Sequence, residues 1–128
     1  MIVGIGTDIC ENERIRSLWQ IYGQRFLERI FHEEEIHYCL AKKNPVPHLS
    51  GRFAVKEAFI KALGLSRTLH LSYREIYLSG RQGRKELRLS GILQEIFHDI
   101  GAQRVHFSIS HTRHYSTAVV ILEKDHGL

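Results

Sequence analysis

The spacing of apolar residues along this chain changes character halfway. Residues 2–9 (Ile-Val-Gly-Ile-Gly-Thr-Asp-Ile) form a β-branched, glycine-punctuated run that predicts a buried strand ending at an aspartate. From Glu11 to about Tyr22 the apolar positions Ile15, Leu18 and Trp19 keep a helical spacing, which Gly23 interrupts. A further helical turn carries Phe26, Leu27 and Ile30, and residues 33–42 predict a short helix with a glutamate-rich first turn. Asn44-Pro45-Val46-Pro47 reads as a break, after which Ser50 is placed to cap a long helix that Gly64 ends. The second half turns to strands. Residues 73–79 and 86–90 predict a hairpin around Arg81-Gln82-Gly83-Arg84, and an amphipathic helix opens at Ser90 or Gly91 and closes at Gly101. Residues 104–110 and 115–123 predict two strands meeting near His111-Thr112-Arg113-His114. The order β-α-α-α-β-β-α-β-β predicts one α+β domain over residues 1–128, with helices packed on a mostly antiparallel sheet.

The long helix is the informative element. From Gly51 to Gly64 it is apolar almost all the way round, yet it carries Glu57 and Lys61. At 100° per residue Phe53, Glu57 and Lys61 stack at i, i+4 and i+8, with Ala54, Ala58 and Gly64 beside them. A helix without a clear polar face is normally buried, and a buried carboxylate must be paired, hydrogen-bonded or metal-bound. The small residues beside the pair leave room for a large ligand. The plain alternative is a Glu–Lys pair on an ordinary surface helix, worth a few tenths of about 1 kcal/mol.

Composition narrows the partners. Hydrophobic residues make up 43% and charged residues 25% of 128 positions, as in soluble globular proteins. No apolar run approaches a membrane span and no signal-like pattern opens the chain, so a cytoplasmic protein with no membrane partner is expected. Cys10 and Cys39 lack metal-like spacing and read as bystander thiols. The net charge of +4 favours an anionic partner, and twelve of the eighteen cations are arginine, the better match to phosphate and carboxylate.

Three features are candidates to converge. Gly4-x-Gly6-x-Asp8 ends the first strand, Glu57 and Lys61 lie on the long helix, and Ser108-Ile109-Ser110-His111 ends a late strand. Each alone is explained by tight packing, capping or a solvated histidine. Together they suit phosphoryl transfer. Asp8 and Glu57 fit a hard cation such as Mg²⁺, which takes few protein ligands; Lys61, Arg52 and His111 add groups for phosphate. Phosphate-loop and dinucleotide-binding glycine motifs are missing, as is a His/Cys zinc cluster. Arg14, Arg25 and Arg29 fall within about 60° on one helical face if the Gly23 break is mild. That stripe is either a solvated face or a surface for an acidic partner, and no aromatics interleave it for base stacking.

Ile5-Gly6-Thr7-Asp8-Ile9 with Arg14-Ile15, the segment Gly51-Arg52-Phe53-Ala54-Val55-Lys56-Glu57-Ala58-Phe59-Ile60-Lys61-Ala62, and Ser108-Ile109-Ser110-His111-Thr112 resemble the three signatures of the bacterial holo-[acyl-carrier-protein] synthases. These are short 4′-phosphopantetheinyl transferases, and the resemblance covers nearly the whole chain. It implies transfer of 4′-phosphopantetheine from coenzyme A to a serine of apo-acyl carrier protein, releasing adenosine 3′,5′-bisphosphate. It implies further that Asp8 and Glu57 hold Mg²⁺ against the coenzyme A pyrophosphate and that Lys61 stabilises charge there. Arg52 and His111 would contact phosphate, Ile5 and Gly64 would line the nucleotide site, and Arg14, Arg25 and Arg29 would dock the acidic carrier. Family members are homotrimers with the site between subunits, Asp8 and Glu57 from one chain and the late loop from a neighbour.

Two departures stand out. The hairpin loop reads Gln82-Gly83-Arg84-Lys85 where the family often has Asn-Gly-Lys-Pro, so its contacts to nucleotide are in doubt. His32 stands where a capping threonine is common, which is expected to cost about 1 kcal/mol of local stability. Two rivals remain open: a basic nucleic-acid-binding module, which has no use for two adjacent carboxylates, and a metal-dependent phosphoesterase that hydrolyses coenzyme A.

Overall fold

A computed structural model describes residues 1–65, 72–80 and 84–126. Strand β1 (Ile2–Glu11) leads into helices α1 (Asn12–Tyr22), α2 (Gln24–Ile30), α3 (Glu33–Leu40) and α4 (Pro45–Ala62). A 3₁₀ turn at Tyr73–Glu75 precedes β2 (Ile76–Ser79) and β3 (Glu86–Leu89), followed by α5 (Gly91–Asp99), β4 (Arg104–His111) and β5 (Tyr115–Glu123). The expected α+β class holds, with two separate antiparallel sheets, β1-β5-β4 and β2-β3. Of the expected hairpin loop, residues 81–83 lie outside the described residues.

The expected break at Asn44–Pro47 is instead the first turn of α4. Pro45 fills the first helical position, where a missing N–H costs nothing and a fixed φ favours the helix. Ser50, expected as the cap, is therefore buried inside the helix. The 18-residue helix lies across the inner face of β1-β5-β4. Glycines let it come close: a Cβ at Gly6 would run into the Ala58 carbonyl oxygen, and one at Gly4 into that of Ala62. Ala54, Ala58 and Ala62 are buried in this contact. Ala58 and Ala62 thus serve helix-to-strand packing, with β1 against them, whereas Gly64 keeps open space around it.

Among the described residues, the sheet is covered on one face only. Gly6 and Cys10 of β1 point inward, whereas Ile5 and Ile9 are 62% and 68% exposed on the outer face. The strand expected to be buried is half open because α4 and α5 lie on a single side. The inner face, α4 and α5 enclose one core around Val55, Phe59, Leu93 and Val120. A second core around Ile15, Leu27, Phe31 and Leu49 sits where α1, α2 and α3 meet the start of α4.

His32 does cap α3. Its Nδ1 accepts from the Glu34 N–H at 3.2 Å, and Glu35 Oε1 accepts from the His32 N–H at 3.1 Å. The reciprocal bonds of a capping box are therefore present, and the expected local cost does not arise. Glu35 has a second task. Lys56 Nζ, 1% exposed, donates to Glu35 Oε1 at 2.6 Å, to the Tyr73 carbonyl at 3.0 Å and to the Ile76 carbonyl. Glu35 Oε2 accepts from the Leu78 N–H at 3.2 Å. This buried pair ties α3, α4 and β2 together, and burial pushes the Lys56 ammonium down while Glu35 pulls it back up.

Candidate active site

From Leu49 to Ala62 the helix is buried except at Phe53, Glu57 and Lys61. The i, i+4, i+8 stripe is thus its one open edge, and that edge faces Asp8. Lys61 Nζ donates to Asp8 Oδ1 at 3.1 Å and to the Thr7 carbonyl at 3.0 Å. Burial pushes the Asp8 carboxyl above its ordinary value; Lys61 opposes this through its hydrogen bond and charge, and the Glu57 carboxylate adds to the upward push. Asp8 is therefore a carboxylate whose charge its surroundings disfavour, next to a second carboxylate. A divalent cation would relieve both. Among the described residues no group of three or more His, Cys, Asp or Glu gathers to hold a metal. Two carboxylates leave most of a coordination sphere to water and substrate oxygens, the habit of Mg²⁺.

Glu57 also opens onto a cleft of about 580 Å³ lined by Arg14, Arg25, Arg29, Phe53 and Tyr73. The three arginines do not share a continuous helical face, because Gly23 (φ 58°) separates α1 from α2. They meet instead across the corner between the two helices. The cleft floor is apolar, and the Arg14 guanidinium lies 6.0 Å from the centre of the Phe53 ring. Tyr73, which sequence reasoning did not single out, donates its hydroxyl to Glu57 Oε1 at 2.7 Å. The only hint in the sequence is an aromatic that follows Ser72 at the entry to β2.

Arg52 and His111 come together elsewhere, in a pocket of about 260 Å³ with Tyr38, Lys42, His48 and Lys85. Ser116 of β5 pairs with both Cys10 and His111, so His111 lies two strands, about 10 Å, from Cys10, and farther from Asp8, which is two residues back along β1. Arg52 and Lys42 sit 4.3 and 4.5 Å from the Tyr38 ring centre, and Lys85 5.3 Å. Partial burial opposes it, but Lys85, Lys42 and Arg52 bring the Tyr38 phenol below its usual range. Burial, then the same cations, hold His48 low. Arg52 is 3% exposed and its Nε finds no hydrogen-bond partner among the described residues. Crowded cations with an orphaned donor, and no lining carboxylate among the described residues, would suit an anion.

Ile5 and Gly64 are not gathered with Asp8 within this chain. Ile5 points from the opposite face of β1, and Gly64 (φ 75°) lies past the end of α4 with open space around it. Lys42 and Tyr38 were missed because the ring contact they share with Lys85, named above only within the hairpin loop, joins α3, its following turn and the residue before β3, which no local pattern connects.

Among the described residues no helix is long and apolar enough to cross a membrane. The holo-[acyl-carrier-protein] synthase of Leptospira biflexa serovar Patoc is 48% identical over 125 residues, 97% of this chain and 98% of that one. The crystal structure of holo-[acyl-carrier-protein] synthase from Neisseria meningitidis matches with a TM-score of 0.86 at 37% identity, over 97% of this chain and 100% of that one. That from Bacillus anthracis str. Ames, in complex with CoA (3′,5′-ADP), matches with a TM-score of 0.77 at 34% identity, over 98% and 99%. Residues 4–120 match the family described as the 4′-phosphopantetheinyl transferase superfamily, and the chain belongs to it.

Proposed function

We propose that this protein is a holo-[acyl-carrier-protein] synthase, transferring 4′-phosphopantetheine from coenzyme A to a serine of apo-acyl carrier protein. The observation that carries this reading is the open Phe53–Glu57–Lys61 edge, which adjoins Asp8 on one side and the arginine cleft on the other. The serine hydroxyl gives up its proton to water as its oxygen forms a bond to the phosphopantetheine phosphorus; the pyrophosphate P–O bond breaks, and adenosine 3′,5′-bisphosphate leaves with the bonding electron pair. Asp8 and Glu57 would hold Mg²⁺, which supplies charge neutralisation on the pyrophosphate oxygens. Lys61, 43% exposed in its side chain, is free to turn from Asp8 to the leaving group once the carboxylate has a stronger partner. Arg14, Arg25 and Arg29 dock an acidic carrier so that its serine enters beside Glu57.

Coenzyme A carries a 3′-phosphate as well as its pyrophosphate. The Arg52–His111 pocket, cationic and short of a hydrogen-bond acceptor, suits that second anion. The distance along the sheet between this pocket and Asp8 supports a site completed by a neighbouring subunit. The uncovered outer face, with Ile5 and Ile9 exposed, supports a homotrimer, in which Ile5 and Gly64 would reach the nucleotide. The two buried free thiols agree with a cytoplasmic setting.

Incubation with coenzyme A, Mg²⁺ and an apo-carrier, followed by weighing the intact carrier, tests this. The carrier gains one phosphopantetheinyl mass; cleavage of coenzyme A with an unchanged carrier would make the protein a phosphoesterase. Reversal of Arg14, Arg25 and Arg29 to glutamate raises the carrier KM and spares coenzyme A binding. Loss of coenzyme A binding instead would remove the docking role.

A further inference from the structure

Among the described residues, Tyr73 is held against α4 by a hydrogen bond, a ring contact and its backbone carbonyl. Its hydroxyl donates to Glu57 Oε1 at 2.7 Å, its ring stacks on Phe53 at 5.9 Å and 27°, and its carbonyl accepts from Lys56 Nζ at 3.0 Å. Lys56 is itself fixed by Glu35 in the interior. The partners Phe53, Lys56 and Glu57 all belong to α4, so the 3₁₀ turn is registered against the stretch of helix that carries the open edge.

Glu57 needs such a restraint. It shares its cleft with Arg14, Arg25 and Arg29, three cations that a mobile glutamate would seek. Among the described residues no arginine pairs with Glu57, and Tyr73 is the partner of its Oε1. A glutamate fixed by one hydrogen bond offers a cation a single remaining oxygen in a defined place, and loses little further side-chain freedom on binding it.

We propose that Tyr73 is a positioning residue for Glu57, occupying Oε1 so that the other carboxylate oxygen is kept for the divalent cation and withheld from the docking arginines. This rests on the reading of Asp8 and Glu57 as the cation's protein ligands. Tyr73→Phe is the informative variant, because it keeps the ring on Phe53 and the backbone carbonyl on Lys56 while deleting the hydroxyl.

Mn²⁺ serves as the probe, its free concentration followed by electron paramagnetic resonance in the presence of coenzyme A. Tyr73→Phe binds Mn²⁺ about tenfold more weakly than the parent, with an unchanged melting temperature. The Mg²⁺ concentration for half-maximal transfer rises by a similar factor, while the rate at saturating Mg²⁺ is largely kept. Unchanged Mn²⁺ affinity in Tyr73→Phe, with affinity weakened in Glu57→Gln, overturns the positioning role alone. Unchanged affinity in both variants overturns it together with the metal reading beneath it.

Discussion

At Asp8 two demands conflict, and the balance can be measured. Burial and the Glu57 carboxylate disfavour its charge, while Lys61 favours it through a 3.1 Å hydrogen bond. The upward net shift means that the surroundings disfavour the charged form of Asp8. Asp8→Asn keeps the shape and removes the charge. In metal-free buffer at neutral pH this variant melts no lower than the parent, and adding Mg²⁺ raises the melting temperature of the parent only. A clear loss of stability in metal-free buffer would show that the Lys61 pair outweighs burial and the second carboxylate. At this scale the sequence was legible in part: Asp8 and Lys61 were named and pair at 3.1 Å, and Glu57, also named, acts on Asp8 through its charge. Tyr73 was not named, because its contact with Glu57 depends on how the turn before β2 is laid against α4.

Helix α4 shows why a nearly unbroken apolar pattern fails to say which charge is buried. The sequence drew attention to Glu57, yet Lys56 is the residue enclosed, and its partner lies on α3. The link to Glu35 joins segments 21 positions apart, and no local spacing reveals it. The proline-rich start was misjudged for a different reason: two prolines signal a break, but in the first helical turn they are compatible with the helix. The pair also sets an expectation for stability. Glu35→Gln leaves a buried ammonium without its counter-charge and costs about 3–5 kcal/mol in urea unfolding, whereas Lys56→Met combined with Glu35→Leu recovers most of that loss. A cost below about 1 kcal/mol would mean that water reaches Lys56 and that the pair is not the tie between α3, α4 and β2.

For the whole molecule, the governing fact is a sheet covered on one side. β1 presents exposed isoleucines outward while its glycines accept α4 inward, and alternation in a strand makes both possible in one segment. The α+β class and the element order were readable from periodicity; the bare face was not, since an apolar run looks the same whether it is buried by its own chain or by a neighbour. The separation of the Arg52–His111 pocket from Asp8 leads to a complementation test. Glu57→Ala and His111→Ala are each impaired, and unfolding and refolding them together restores activity by forming sites with one intact half from each. No recovery in mixed samples would place the whole site within one chain.

The most direct measurement is the intact mass of an apo-carrier after incubation with coenzyme A and Mg²⁺, run in parallel with the parent, Asp8→Ala and Glu57→Ala proteins. The parent adds one phosphopantetheinyl group to the carrier serine, and both variants, though folded, leave the carrier mass unchanged. An unmodified carrier with the parent, or full modification by both variants, would contradict the assignment of this site to metal-assisted phosphopantetheinyl transfer.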